Sequence, residues 1–479
     1  MRCSRGLRLG VLEFWMMRKI GIYVQVPFCQ TKCTYCNFHT GVVASSRFAP
    51  YVEAVCREIR GHRELLRAAG TDWPGGLGRP PRRTAPLQGN GEVATGVGER
   101  PASARGAGAA EGSPYGEKTY AVDTVYIGGG TPSLLDPGHL QSILDAIRET
   151  FNTSAEGGDH GGKKSGGEPT HSKAPASEGG RYNGTRETLL EVTLEADPET
   201  VEAGNAGAWV GAGINRVSFG VQSFVDKELV AAGRMHRRTD IYRAVPILRE
   251  AGIRNISFDL IAGLPHQTRE SWGQSLEELE GLAPEHVSVY LLEIDEGSRL
   301  GKELLQGGGK YNAGAVPSED EMAELYEMAQ HALGAAGFHH YEISNWAKPG
   351  FESKHNLKYW RREPYMGFGA GAHSFSGTER WANAHDAAAY VTAIQDGRLP
   401  VEQHETLTAE SALEEELFLG LRQLDGIDVA RIEREYGVTV SGRFGPLASA
   451  GLVERDGSLV RLAPAKLSVS NEVFVELLR

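Results

Sequence analysis

The side chains best equipped for chemistry stand together near the start of the chain. Cys29, Cys33 and Cys36 form C-x3-C-x2-C within FCQTKCTYCNF, residues 28–38. Iron–sulfur clusters are commonly held by four thiolates. Three therefore leave one iron of a cubane without a protein ligand, an open position where a small molecule can bind and be transformed. The competing chemistry is a zinc site completed by His39, since Cys3His sites are common. Such zinc modules are small self-contained units, however, whereas this run occupies the first loop of a long repeating pattern. Of the other two cysteines, Cys3 lies in the leader and Cys56 on the apolar side of an amphipathic stretch, where a thiol behaves as a small hydrophobe. Five cysteines with three clustered suit a reduced compartment and a metal site better than a disulfide framework.

The elements that must position these thiols are legible as an alternation. Short β-branched runs occur at 21–26, 122–127, 189–194, 215–220, 255–260 and 286–292, and amphipathic stretches at 51–70, 139–150, 241–252 and 271–282 follow several of them. Six strand-then-helix units predict an α/β fold with a parallel sheet, curved into a partial (β/α)6 barrel of TIM type. Further motifs fall just after these strands: GGGTPS (128–133), Glu195 with Asp197-Pro198, Gln222 in SFGVQSF, and Asp259 at the end of the fifth run. All should share the C-terminal rim with the cysteine loop, where barrel active sites form. Taken alone, GGGTPS lacks the G-x-G-x-x-G spacing and the Walker lysine and reads equally well as a tight turn. Arg234 in GRMHRR and a lone strand-end Asp would ordinarily be surface or capping residues.

Residues 72–118 and 153–186 are dense in Gly, Pro, Ser and Ala without periodicity, and read as insertions too polar to offset their ordering entropy; His160 and His171, in the second, are expected to be solvated. Residues 1–18 form a dispensable leader: Glu13 interrupts its apolar run and no cleavage site follows. The barrel and its extension should span 19–376, and a compact α/β module of winged-helix character 377–479. With 62 acidic against 50 basic side chains, a net charge of −12 and a pI near 5.7, the chain has no footprint for a nucleic-acid backbone. No run is long and apolar enough to span a bilayer, so a cytoplasmic protein is expected.

The three-cysteine spacing, with Tyr35 before the last thiol, resembles the radical S-adenosylmethionine (SAM) superfamily. The resemblance implies a [4Fe-4S] cluster on Cys29, Cys33 and Cys36 whose open iron is chelated by the amine and carboxylate of SAM. Reduction then cleaves a sulfur–carbon bond to give methionine and a 5′-deoxyadenosyl radical. YVQVPFC, GGGTPS, GVQSF, FDLIAGLP and GFGAGAHSF look like landmarks of the coproporphyrinogen oxidase-like group over residues 20–376, with a C-terminal domain of the same type. That likeness puts Tyr23, Tyr35, Gly130, Thr131, Glu195, Gln222, Arg234 and Asp259 at positions that contact SAM. Gly130 would let backbone approach the methionine amine, Glu195 and Asp259 would bind the amine or ribose hydroxyls, and Arg234 the carboxylate. Gln25 stands where many relatives carry histidine.

Within the group, the coproporphyrinogen dehydrogenases carry a further cysteine two positions after the third, where this chain has Phe38, and HNLKYW (355–360) resembles an element of the group's heme-chaperone branch. The likeness implies a protein that binds heme and delivers it to acceptor proteins, including membrane-associated respiratory hemoproteins, and draws on an electron donor. His355 would ligate iron while Tyr359 and Trp360 lie against the porphyrin. On the residues alone, HNLKYW reads equally as a packed turn whose aromatics belong to the core and whose histidine caps a helix. His340 and His373 are further candidate ligands, each also readable as structural. SAM cleavage is compatible with the motifs, and coproporphyrinogen oxidation is disfavoured by Phe38. A different radical reaction on the same scaffold, such as methyl transfer or heme degradation, is the third alternative.

Overall fold

A computed structural model describes residues 18–37, 40–68, 120–151, 153 and 190–478. The leader up to residue 17 and most of both insertions lie outside the described residues, as do Cys3, Phe38, His39, His160 and His171. The alternation produces six parallel strands: β1 (Arg18–Val26), β2 (Tyr120–Gly129), β3 (Glu191–Ala196), β4 (Arg216–Gln222), β5 (Asn255–Ala262) and β6 (His286–Leu291). Between them run α1 (Phe48–Ala68), α2 (Pro137–Thr150), α3 (Ala203–Ala212), the short α4 (Asp226–Ala231), α5 (Arg238–Ala251) and α6 (Arg269–Leu282). Boundaries follow local chemistry. Asp136 accepts from Gly138 N to start α2, Thr268 forms a capping box at α6, and Gly213 and Gly252 adopt the left-handed conformation that ends α3 and α5.

The period of two sorts each strand. In β1, Ile20, Ile22, Val24 and Val26 are buried in the apolar core shared with residues of α1, α2 and their neighbours. The intervening residues Gly21, Tyr23 and Gln25 project to the other face. There they meet a polar interior that includes Thr124, Tyr126, Glu195, Ser218, Asp259, His286 and Ser288. A strand interior this rich in hydroxyls and carboxyls has to be satisfied by hydrogen bonds or ligands.

The chain next adds α7 (Arg299–Leu305), α8 (Glu319–Ala335), the hairpin β7 (His339–Glu342) and β8 (Asn345–Ala347), and α9 (Lys354–Trp360). Strand β9 (Tyr365–Phe368) pairs in parallel with β1, followed by β10 (His373–Phe375), β11 (Glu379–Asn383), α10 (Ala387–Gln395) and β12 (Val401–Thr406). The sheet order is β12-β11-β10-β9-β1-β2-β3-β4-β5-β6-β8-β7. The six parallel strands therefore keep chain order and do not close on one another, giving a partial barrel extended beyond β6 by an antiparallel hairpin and beyond β1 by the parallel β9 and then antiparallel strands. The boundary expected at 377 falls inside this sheet, between β10 and β11. Beyond Thr406, α11 (Ala409–Arg422), β13 (Ile427–Asp428), α12 (Val429–Tyr436), α13 (Phe444–Ser449), β14 (Val453–Asp456), β15 (Leu459–Leu462) and α14 (Ser470–Leu477) form a helical unit with its own three-stranded sheet.

Candidate functional site

The cysteine loop leaves β1 and is fastened from three sides. Gly130 N donates to Val26 O (2.8 Å) and Thr131 N to Phe28 O (2.7 Å), so the glycine-rich turn after β2 grips the loop by its backbone. At Gly130 a Cβ would stand 2.3 Å from Phe28 O, which makes glycine obligatory for this approach. Thr34 N donates to Ala232 O (3.0 Å) and Leu300 N to Thr34 O (2.8 Å), tying the loop to the end of α4 and to α7. Phe28 stacks on Phe48 and meets Tyr51 edge-on. Cys33 is buried, and Cys29 and Cys36 are half-buried.

A buried charge pair faces these thiols. Arg234 pairs with Asp197, donates to Gly220 O (3.0 Å), and lies 3.4 Å from Cys33 Sγ; its Nε is buried without a partner among the described residues. Asp197 also accepts from Thr131 Oγ1 (3.1 Å). A Cβ on Gly220 would touch Gln222, Arg234 and Asp197, so these three side chains converge on one point. Gln222 has φ of +65°, a conformation a side chain adopts only at an energetic cost that clusters at functional sites. Burial pushes the Cys29 thiol up, opposed by the Thr40 and Thr131 hydroxyls. Tyr35 is likewise raised, first by burial and then by the Cys33 thiol.

Glu195 and Asp259 lie deeper. Glu195 accepts from Tyr126 OH (2.9 Å) and Gly129 N (2.8 Å), and burial raises it to about 7. Asp259 accepts from Ser218 Oγ (3.1 Å) and is raised by burial. Two expectations are corrected here. Asp259 sits inside β5, not at its end, because the apolar run Leu260–Ala262 keeps pairing with β6. Glu195 is likewise still within β3. Both carboxyls therefore point into the barrel below the rim that carries the cysteines.

Among the described residues no three His, Cys, Asp or Glu side chains already stand in metal-ligand array. The donor set nevertheless fits a thiolate-held cluster: three thiols on one braced loop, one beside a buried guanidinium whose Nε is unsatisfied. Protonated Cys29 must lose its proton on binding, so assembly should be coupled to pH.

The HNLKYW segment is not at this rim. It forms α9, capped by Ser353, and covers the opposite end of the barrel. His355 is fully buried and both ring nitrogens are engaged, Nδ1 with Thr124 Oγ1 and Nε2 with Tyr359 OH, each at 2.9 Å. Burial lowers its pKa to about 3. Its backbone N donates to Glu191, the first residue of β3. Tyr359 packs edge-on against Tyr365 and Trp360 against Tyr341. The geometry supports the packing reading: the histidine ring links helix to strand, although it is not a cap. His340 stacks on Trp346 with centroids 3.9 Å apart and bonds Ile343 O; His373 is exposed.

Sequence reasoning missed Tyr126 and Arg216 at the centre of these contacts, and placed Asp197 at the rim without its partner. Asp197 and Tyr126 hold Arg234 and Glu195, and Arg216 places a fully buried guanidinium on the barrel floor, with Nε unpartnered among the described residues. The signal for Tyr126 and Arg216 was strand parity: they share an inward face with Thr124 and Ser218.

Comparison with known proteins bears on the same segments. The Radical SAM superfamily profile matches residues 114–279 and the HemN C-terminal domain profile residues 407–465. The chain is 31% identical over 456 residues to a heme chaperone HemW of Bacillus subtilis, covering 94% of this chain and 97% of that protein. It is 28% identical to HemW of Escherichia coli over 74% of this chain and 69% of that one. It is 28% identical to the mitochondrial radical S-adenosyl methionine domain-containing protein 1 of Mus musculus, over 74% and 60%. Among solved structures, the coproporphyrinogen III oxidase HemN of E. coli superposes with a TM-score of 0.69 at 18% identity, over 96% of this chain and 90% of that one, a likeness of fold.

Proposed function

The chain belongs to the heme chaperone HemW family of radical SAM proteins, and from that premise we propose that it binds heme and passes it to acceptor proteins, with a [4Fe-4S] cluster on Cys29, Cys33 and Cys36 and an exchangeable SAM beside it. The observation that carries the cofactor part is the backbone grip of the GGGTPS turn on the cysteine loop, next to the Arg234–Asp197 pair. When bound, such a cluster supplies one electron to the sulfonium of SAM. The protein's part is positional. Arg234, held in place by Asp197, offers a buried cation for the methionine carboxylate. Glu195 and Asp259 offer carboxyls for the amine or ribose hydroxyls, and Tyr23, Tyr35, Gln222, Gly130 and Thr131 shape the remaining wall.

The heme part is supported by the chaperone relatives, one of which matches over nearly its whole length, and by Phe38 in place of the further cysteine of the coproporphyrinogen dehydrogenases. Heme-loaded, cluster-bearing protein is mixed anaerobically with an apo-hemoprotein and the two are separated. Transfer of the Soret absorbance to the acceptor is expected. Retention of all heme by this chain, or formation of protoporphyrinogen from coproporphyrinogen III with SAM and a reductant, would contradict the chaperone reading.

A further inference from the structure

We propose that Glu199 and His236 share one proton behind the Arg234–Asp197 pair, and that this proton sets how strongly Arg234 holds the carboxylate of SAM; this rests on the SAM-binding reading of the site. Neither residue would touch SAM. Both are positioning residues that act through Arg234.

The geometry requires a proton between them. His236 is fully buried, and its Nε2 lies 3.0 Å from Val221 O. A carbonyl only accepts, so Nε2 carries the ring hydrogen and Nδ1 keeps its lone pair. Nδ1 faces Glu199 Oε2 at 3.6 Å, and both atoms are buried without a hydrogen-bond partner among the described residues. A bridging water needs roughly 5.5 Å between its two partners, so none fits in this gap. Two buried lone pairs facing each other are costly, and a proton turns that contact into a hydrogen bond.

The surroundings put the proton on the carboxyl. Burial and then the Arg234 cation lower His236 to about 4, whereas burial and then the Asp197 carboxylate raise Glu199 to about 7. The charged groups facing the pair are Asp197 from its own turn, Arg234 and Arg237 from the loop after α4, and Asp240 and Arg243 from α5. Asp240 and Arg243 pair with each other (3.2 Å), and Arg237 is spent on the carbonyls of Arg234 and His236 (2.9 and 2.8 Å). The Glu199 side chain keeps 18% exposure, which gives its proton a route to solvent.

With Glu199 neutral, Arg234 has one counter-charge, Asp197, which holds the guanidinium in place and leaves Nε free for an incoming carboxylate. Once Glu199 ionises, a second carboxylate competes for the same cation and the pocket turns net negative. SAM affinity is therefore greatest below pH 7 and declines as pH rises through about 7. By the same linkage, SAM binding draws a proton onto Glu199.

The test measures SAM binding by equilibrium dialysis on the cluster-loaded protein at about pH 6 and about pH 8.5, in wild type and Glu199→Gln, with infrared spectra of both over that range. Glutamine keeps the shape, stays neutral and can donate to His236 Nδ1, so the variant should fold, checked by its thermal midpoint. The SAM amine, which titrates near about pH 8, and Glu195 contribute equally to both proteins and cancel in the comparison. Wild-type affinity should fall about tenfold more than that of the variant. Wild type should also lose one protonated-carboxyl band through about pH 7 that the variant lacks throughout. Equal losses of affinity would overturn the coupling, and identical carboxyl spectra would overturn the shared proton, both leaving SAM binding intact; no SAM binding by wild type at either pH would overturn the site reading as well.

Discussion

Cys33 has the least freedom of the three thiols: it is buried, it lies 3.4 Å from Arg234, and its loop is bonded on both flanks. Replacing it with Ala should abolish cluster assembly, read as loss of iron and acid-labile sulfide after anaerobic reconstitution; wild-type stoichiometry in the variant would remove the assignment. Cys56→Ala should assemble normally, because Cys56 is buried in the apolar face of α1. Asp197→Asn should leave the Arg234 cation unneutralised beside the cluster loop and weaken SAM binding by about tenfold or more in equilibrium dialysis, since buried groups stripped of a charged partner lose orientation as well as charge. The thiols were legible because spacing along one loop survives folding. Asp197 as the partner of Arg234 was not, because that contact joins residues 37 positions apart through the curvature of the sheet.

Element α9 shows how a motif can be visible while its role is not. HNLKYW has helical length and an aromatic pair, but only the fold reveals that His355 bonds Thr124 of β2. His355→Ala should cost about 2–4 kcal/mol in chemical denaturation, by orphaning two buried hydroxyls and opening a cavity, while leaving heme affinity within about twofold. Helix α1 carries a pH-dependent counterpart. His62 stacks on Phe151 and burial lowers its pKa from 6.5 to about 4. A group depressed in this way stays neutral when folded, so its contribution is fully present above pH 6.5 and is lost as pH falls through about 4. His62→Phe keeps the stacking and removes the titration. Its melting temperature should drop less than that of wild type between pH 6.5 and 4, by about 5 °C, and equal drops would show that His62 does not set acid stability.

For the whole molecule, the partial barrel followed from the strand–helix alternation, and the six parallel strands keep sequence order as that pattern requires. The limit of the barrel sheet was less legible. Strands β10 to β12 are short and antiparallel, their edge strand β12 is mostly exposed, and no composition change marks Thr406. The C-terminal unit docks through α11, where Arg422 makes a two-nitrogen pair with the fully buried Glu342 (2.7 and 2.8 Å) and Ile343 N donates to Arg422 O. Arg422→Met should strand that carboxylate and destabilise the protein by about 3 kcal/mol in denaturant titration, because removing one partner of a buried pair leaves an uncompensated charge. The docked unit and the braced rim together frame the function proposed for this chain, heme handling at a barrel that also carries a cluster. The most direct measurement is an anaerobic heme titration of the cluster-loaded wild type followed by Soret absorbance. Saturation at about one heme per chain is predicted, as for a single axial-ligand site, and no Soret change at any ratio would contradict it.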